Sequence, residues 1–270
     1  MAHSGIDALN TMFAQADGEG RSAFLPYFPI GFPSYDDSLE AIEAMANIGV
    51  DGFEIGIPFS DPLADGPVVQ AATQKALENG ITPKKCIDAV AELRARGVTQ
   101  PMLLMGYVNP ILAYGAEQFV IDSKAAGVDG LIVPDLPPDE AQFLIDICDR
   151  EKLALVFFLA PTSNNERIQY VVEKTTGFIY VVTLTGVTGE RTTLPEDLSA
   201  FIQRIRTYSK DTRLVTGFGI SQPHHAQMMN RLVDGFIVGS ALVRAGSQGV
   251  DAVRELTTSI RRAIDTESTV

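Results

Sequence analysis

Apolar residues in this chain gather into eight short continuous runs, at 23–30, 53–57, 102–105, 131–133, 153–159, 178–184, 214–218 and 236–238. Gly, Pro or Asp punctuates each run, and the stretches between carry apolar residues at helical spacing. A short run that is apolar at consecutive positions predicts a strand buried on both faces, the habit of parallel sheet. Between the runs, Leu39, Ile42 and Met45 fall at i, i+3 and i+6 and predict an amphipathic helix. Phe143, Leu144 and Ile147 predict another over 140–148. Two helix-to-strand junctions share one pattern, Gly49-Val50-Asp51-Gly52 and Gly127-Val128-Asp129-Gly130, whose first glycine is the expected C-terminal cap.

Eight strands alternating with eight helices over about 250 residues is the arithmetic of an α/β fold, the (β/α)8 TIM barrel. The rival is a doubly wound open sheet, which calls for a Gly-x-Gly-x-x-Gly turn after its first strand. Here the first run ends Pro29-Ile30-Gly31-Phe32-Pro33, without that turn. Residues 6–15 predict an extra N-terminal helix over the barrel's N-terminal mouth. No linker or low-complexity stretch divides the sequence, so 1–270 reads as a single TIM-barrel domain.

Composition narrows the function classes. Of 270 residues, 46% are hydrophobic and 20% charged, with a mean hydropathy of +0.11, a profile that excludes disorder and fibrous repeats. The 21 basic against 34 acidic residues give a net charge of −13, without the basic stripe that nucleic acid demands. Three histidines (His3, His224, His225) and two cysteines (Cys86, Cys148) are too few and scattered for a zinc site or a disulfide framework, so no metal is expected. The longest apolar run, 153–161, falls well short of the ~20 residues a bilayer span needs. The first twenty residues lack a signal-peptide pattern, and the expected location is the cytoplasm.

In a barrel the chemistry sits at the C-terminal ends of the strands. Glu54 is the anomaly of the second run: a carboxyl inside an apolar strand costs several kcal/mol unless paired or protonated. Period-two alternation sets Phe53, Ile55 and Ile57 on one face and Glu54 with Gly56 on the other, which predicts Glu54 in the barrel interior. It is either a buried structural acid satisfied by backbone or arginine, or a general acid/base whose pKa burial raises. The loop that follows carries Asp61, Asp65 and several prolines, a fixed shape suited to holding a carboxylate. The last three runs end in small residues: Thr185-Gly186-Val187-Thr188-Gly189, Gly217-Phe218-Gly219-Ile220-Ser221 and Gly239-Ser240-Ala241. There barrels build phosphate sites from backbone amides and a helix N-terminus. None of the seven lysines lies at a strand's C-terminal end, as a Schiff-base aldolase requires, and histidines for a metal aldolase are missing. The residues therefore point to carboxylate chemistry on a phosphorylated substrate.

The run from Phe53 through Gly56-Ile57-Pro58-Phe59-Ser60-Asp61-Pro62-Leu63-Ala64-Asp65-Gly66-Pro67 resembles the signature of the tryptophan synthase alpha subunit. The likeness continues through Leu103-Leu104-Met105-Gly106-Tyr107-Val108-Asn109-Pro110, Val133-Pro134-Asp135-Leu136-Pro137 and the three glycine clusters. It implies cleavage of indole-3-glycerol phosphate to indole and glyceraldehyde 3-phosphate. Glu54 matches that family's general acid/base and Asp65 the acid that accepts the indole N–H. Tyr180 matches a tyrosine near the glutamate, although a core aromatic explains it equally well. Thr188 matches a threonine of a closing loop; Gly189, Gly219, Gly239 and Ser240 match the phosphate site; and Tyr27, Tyr107 and Phe218 match the indole pocket. The resemblance also implies an alpha2beta2 complex. Asp61-Pro62 and Asn109-Pro110 match the contact with a beta subunit that carries pyridoxal phosphate, a cofactor not expected in this chain.

Two positions depart from the family pattern: Phe32 stands where many relatives carry Asp, and Tyr27 where some carry Phe. Three readings stay beside the synthase subunit: a stand-alone lyase, a non-catalytic allosteric partner, and another phosphate-binding barrel.

Overall fold

The computed structural model describes residues 4–182, 196–209, 211–217, 219–230 and 232–265. Eight strands close into a barrel in sequence order: β1 (Ala23–Pro29), β2 (Phe53–Gly56), β3 (Met102–Met105), β4 (Gly130–Ile132), β5 (Ala154–Leu159), β6 (Phe178–Val181), β7 (Arg213–Thr216) and β8 (Gly235–Val238). All eight pairings are parallel, including the closing pair, in which Leu25 meets Ile237. Among the described residues there are twelve helices, three more than the eight alternating helices and the N-terminal one expected. They are α1 (Ile6–Gly18), α2 (Tyr35–Ile48), α3 (Pro67–Glu78), α4 (Pro83–Ala95), α5 (Val108–Tyr114), α6 (Ala116–Ala126), α7 (Gln142–Glu151), α8 (Asn165–Lys174), α9 (Glu196–Tyr208), α10 (Pro223–Met229), α11 (Ser240–Gly246) and α12 (Val250–Asp265). The additions have local causes. Gly115, at φ 96°, breaks α5 from α6, and Gly249, at φ 112°, separates α11 from α12. None of the described helices is long and apolar enough to cross a membrane.

Strand alternation divides the apolar residues into two cores. Phe24, Phe28, Phe53, Ile55, Leu104 and Phe236 face outward, against the helices. Leu25, Tyr27, Leu103, Met105, Val156, Phe178 and Ile237 face inward and fill the barrel. The extra N-terminal helix does cover the N-terminal mouth: Leu9, Met12 and Phe13 of α1 join the inner core, and Phe13 meets Phe178 edge-on at 6.1 Å. The capping glycines behave as expected, with Gly49 and Gly127 left-handed at the ends of α2 and α6. One expected stripe is corrected. In α7 the buried residues are Leu144, Ile145 and Cys148, whereas Phe143 is 38% exposed. Apolar residues at 143, 144, 145 and 147 offer two stripes, and packing selects the one continued by Cys148.

Register is fixed at the N-terminal edge by a motif that occurs four times. Asp51, Asp129, Thr176 and Asp234 each stand before a glycine at the entry to an even strand. Each side chain accepts a backbone N–H from the preceding odd strand: Phe24 at 2.8 Å, Met102 at 3.0 Å, Leu155 at 2.8 Å and Leu214 at 2.6 Å. Each also returns its own N–H to the carbonyl of that same residue, at 2.9–3.1 Å. The three aspartates are charge-compensated, Asp51 by Arg21 at 2.7 and 2.8 Å, Asp129 by Arg94 at 2.7 Å, and Asp234 by Arg206 and Arg213. The following glycines leave room for the plug: a Cβ on Gly52 would lie 2.8 Å from the Met12 sulfur, and one on Gly177 2.9 Å from Leu9.

Asp129 also accepts the Gly5 N–H at 2.7 Å, so it ties α1 to the barrel floor. Asp129→Ala strands Arg94 and two amides, and urea unfolding should show a loss of about 3 kcal/mol. Thr176→Val removes one neutral bond and should cost about 1 kcal/mol.

Candidate active site

Glu54 lies on the inner face of β2, paired in register with Tyr27 of β1 and Leu103 of β3, and is 3% exposed. Among the described residues no hydrogen bond or ion pair is formed by its carboxyl. Burial, with the charge of Asp65 as a second cause, pushes its carboxyl up to about 8. Burial therefore favours the protonated form of the Glu54 carboxyl.

Asp65 sits in the loop between β2 and α3, half-buried, and burial lifts it to about 6. The opposing influence is the Tyr107 hydroxyl, which donates to its Oδ2 at 3.1 Å. The same hydroxyl accepts the Ala64 N–H at 2.9 Å, so Tyr107 fixes both the carboxylate and the loop beneath it. Tyr107 is itself placed by the start of α5, where the Val108 N–H donates to Asp135 at 2.9 Å, and its ring lies 5.3 Å from that of Phe59.

Two further tyrosines share the interior with Glu54. Tyr27 is buried, and burial plus the charges of Asp65 and Glu54 hold its hydroxyl well above its ordinary pKa; the same causes, with Glu54 ahead of Asp65, act on Tyr180. Both are neutral hydroxyls beside the acid. Each rests on a strand-end glycine. A Cβ on Gly56 would stand 2.4 Å from the Tyr27 oxygen, and one on Gly217 2.3 Å from the Tyr180 oxygen. Sequence reading missed these two glycines as site residues, because the space they leave is occupied from a neighbouring strand. It also missed Phe158, whose ring stacks on Tyr180 at 4.8 Å.

The remaining expected positions divide. Gly219 follows β7 at φ +59°, exposed, with nothing within 4 Å of a built Cβ. Gly239 precedes α11 and has Tyr27 at 3.6 Å from its would-be Cβ; Ser240 is the exposed first residue of that helix. These three lie at the C-terminal ends of paired strands, on the far side of Tyr27 from Glu54. Thr188, Gly189 and Phe218 lie outside the described residues. Asp61 and Asn109 are exposed, while Pro62 and Pro110 are half-buried. Asn109 and Pro110 belong to the first turn of α5 rather than to an open loop, since proline needs no amide partner there. Phe32, the departure at strand 1, packs partly buried between the two cores. Among the described residues no cluster of three or more His, Cys, Asp or Glu is placed to hold a metal ion.

A closed parallel barrel with one carboxyl buried in its interior and a second, half-buried, in the loop beyond β2 defines the class: a (β/α)8 TIM barrel with a candidate site at the C-terminal ends of its strands. The family model for the tryptophan synthase alpha chain matches residues 13–267. A tryptophan synthase alpha chain from Chloroflexus aggregans is 50% identical over 238 residues, spanning 88% of this chain and 89% of that protein. The tryptophan synthase of Saccharomyces cerevisiae is 39% identical over 88% of this chain, but the match spans only 34% of that protein. The solved structure of Mycobacterium tuberculosis tryptophan synthase superposes with a TM-score of 0.90 at 34% identity, covering 97% of this chain and 99% of that one. This chain belongs to the tryptophan synthase alpha chain family and is a lyase of tryptophan biosynthesis.

Folding takes a proton up at Glu54 between the ordinary carboxyl value of 4.5 and about 8, so the wild type loses stability as pH rises through that window. Glu54→Gln removes the linkage. Its stability relative to wild type, from urea titrations at pH 5 and pH 8, should be more favourable at pH 8; no change between the two would place the pKa elsewhere. Tyr107→Phe removes the bond that lowers Asp65, whose carboxyl should then titrate above about 6 in a carbon-13 NMR titration.

Proposed function

We propose that this chain cleaves indole-3-glycerol phosphate into indole and glyceraldehyde 3-phosphate as a carbon–carbon lyase. The observation that carries the reading is the split pair: near neutral pH Glu54 holds its proton while Asp65 is ionised. Glu54 delivers its proton to the indole ring carbon that bears the glycerol chain. The positive charge that develops on the ring nitrogen is met by the Asp65 carboxylate, held ready by Tyr107. The carbon–carbon bond then breaks, its electron pair returns to the ring, and the ionised Glu54 takes the proton of the adjacent hydroxyl as that carbon becomes an aldehyde. Glu54 ends protonated, ready for the next turnover. Tyr27, Tyr107 and Tyr180 supply the walls for the indole. The phosphate lies at Gly219, Gly239 and the start of α11, where amides and the exposed Ser240 hydroxyl supply donors without a salt bridge.

A beta subunit carrying pyridoxal phosphate is the proposed partner and consumer of the indole; this chain needs no cofactor of its own. An apolar surface at the Asp61-Pro62 and Asn109-Pro110 segments supports the docking. Leu63 is 92% and Leu112 51% exposed, and a groove of about 410 Å³ is lined by Pro58, Phe59, Ile81 and Pro110. The setting proposed for the complex is cytoplasmic.

The kcat/KM for indole release should be bell-shaped. The acid limb near pH 6 reports protonation of Asp65, and the alkaline limb near pH 8 loss of the Glu54 proton. Glu54→Gln should lower kcat by about 10³-fold or more, and Asp65→Asn by about 10²-fold with loss of the acid limb. Retained turnover in Glu54→Gln would remove that residue from the mechanism. Purified beta subunit should accelerate release, and Leu63→Asp should cancel the acceleration. Fast release that the partner leaves unchanged would favour the stand-alone lyase.

A further inference from the structure

A phosphate cradle made of glycine amides works only if its loop is held in shape before the ligand arrives, because ordering it on binding costs about 1 kcal/mol or more per residue. The stretch from Gly219 to Gln222, ahead of α10, opens on a left-handed glycine and therefore has little stiffness of its own. At the end of β7 the Tyr180 hydroxyl fills the space that a Cβ on Gly217 would take. The stretch is anchored in its middle by Ile220, which is 2% exposed. At its exit the Ser221 N–H, two residues beyond Gly219, donates at 3.3 Å to Nδ1 of His225.

His225 is suited to hold that exit. It is 8% exposed, on the first turn of α10, and its own N–H donates to the Gln222 carbonyl at 3.0 Å. The His224 ring packs edge-on against it with centroids 4.2 Å apart. Histidine here thus closes the loop with a side-chain acceptor set one turn further along the helix.

We propose that His225 is a positioning residue for phosphate recognition: through Ser221 it holds the loop in the conformation that presents Gly219 to the phosphate group. This rests on the phosphate site proposed above and adds a residue that touches neither phosphate nor indole.

The test separates phosphate recognition from general stability. Glycerol 3-phosphate, and separately indole, are titrated calorimetrically into wild type, His225→Phe and His225→Asn, with a urea unfolding curve for each. Phenylalanine keeps the ring and loses the acceptor; asparagine keeps an acceptor at the same δ position. His225→Phe should weaken glycerol 3-phosphate binding, and raise KM for indole-3-glycerol phosphate, by about fivefold, the weight of one neutral hydrogen bond. The kcat should stay at the wild-type value, indole should bind all three proteins alike, and asparagine should restore the affinity. If phenylalanine does not fold, His225→Gln displaces the acceptor by one bond and should show the same selective loss. Unchanged phosphate affinity, or an equal loss for indole, would overturn the proposal. A wild type that binds indole but not glycerol 3-phosphate would overturn the phosphate site itself.

Discussion

A slip of one residue in β2 would turn Glu54 out of the barrel and into the apolar layer beneath the helices, so everything at the mouth depends on strand register. Register is set at the opposite end of the molecule, where Asp51, Asp129, Thr176 and Asp234 exchange paired hydrogen bonds with the odd strands beside them. The bond at Asp129 is buried and the other three part-buried, and three of the four acceptors are charged and compensated by arginine. Charge-assisted bonds to strand amides are strong enough to specify one alignment. The alignment then delivers Tyr27, Glu54 and Leu103 to a single level inside the barrel.

At that level, an apolar interior surrounds one carboxyl that has no neutralising partner among the described residues. Such a group stays protonated at neutral pH, and the ionised Asp65 nearby strengthens the preference. Asp65 has the more polar place, at the mouth with a tyrosine hydroxyl on it, and gives up its proton sooner. The same fold thus keeps two carboxyls in different protonation states by depth and by one hydrogen bond.

Much of this was legible in the sequence. Glu54 stood out because a carboxyl in an apolar run contradicts its surroundings, and alternation alone gave its direction. The Gly-Val-Asp-Gly junctions at 49–52 and 127–130 were legible as helix C-terminal caps, while the register role of their aspartates emerges only from the structure. Even the shared pattern fails at the other two register clamps, since Thr176 lacks the charge and Asp234 lacks the preceding glycine. Short helices such as α5 and α11 carry too few residues for periodicity to register, and Phe143 shows that a broad apolar run does not say which stripe will be buried. The match of Tyr27 to Gly56, and of Tyr180 to Gly217, is a contact between strands far apart in sequence, which local pattern does not encode.

The fourfold repeat of the clamp divides the barrel into units of its own. Every clamp joins an odd strand to the even strand after it, β1 with β2, β3 with β4, β5 with β6 and β7 with β8; an even strand and its odd successor share none of these bonds. The chain is therefore four strand pairs in series, with natural seams after β2, β4 and β6. A new terminus opened at a seam leaves all four clamps within continuous chain, whereas one opened inside a pair separates an acceptor from its amide. Circular permutants cut at the seams should accordingly retain the barrel more readily than those cut within a pair.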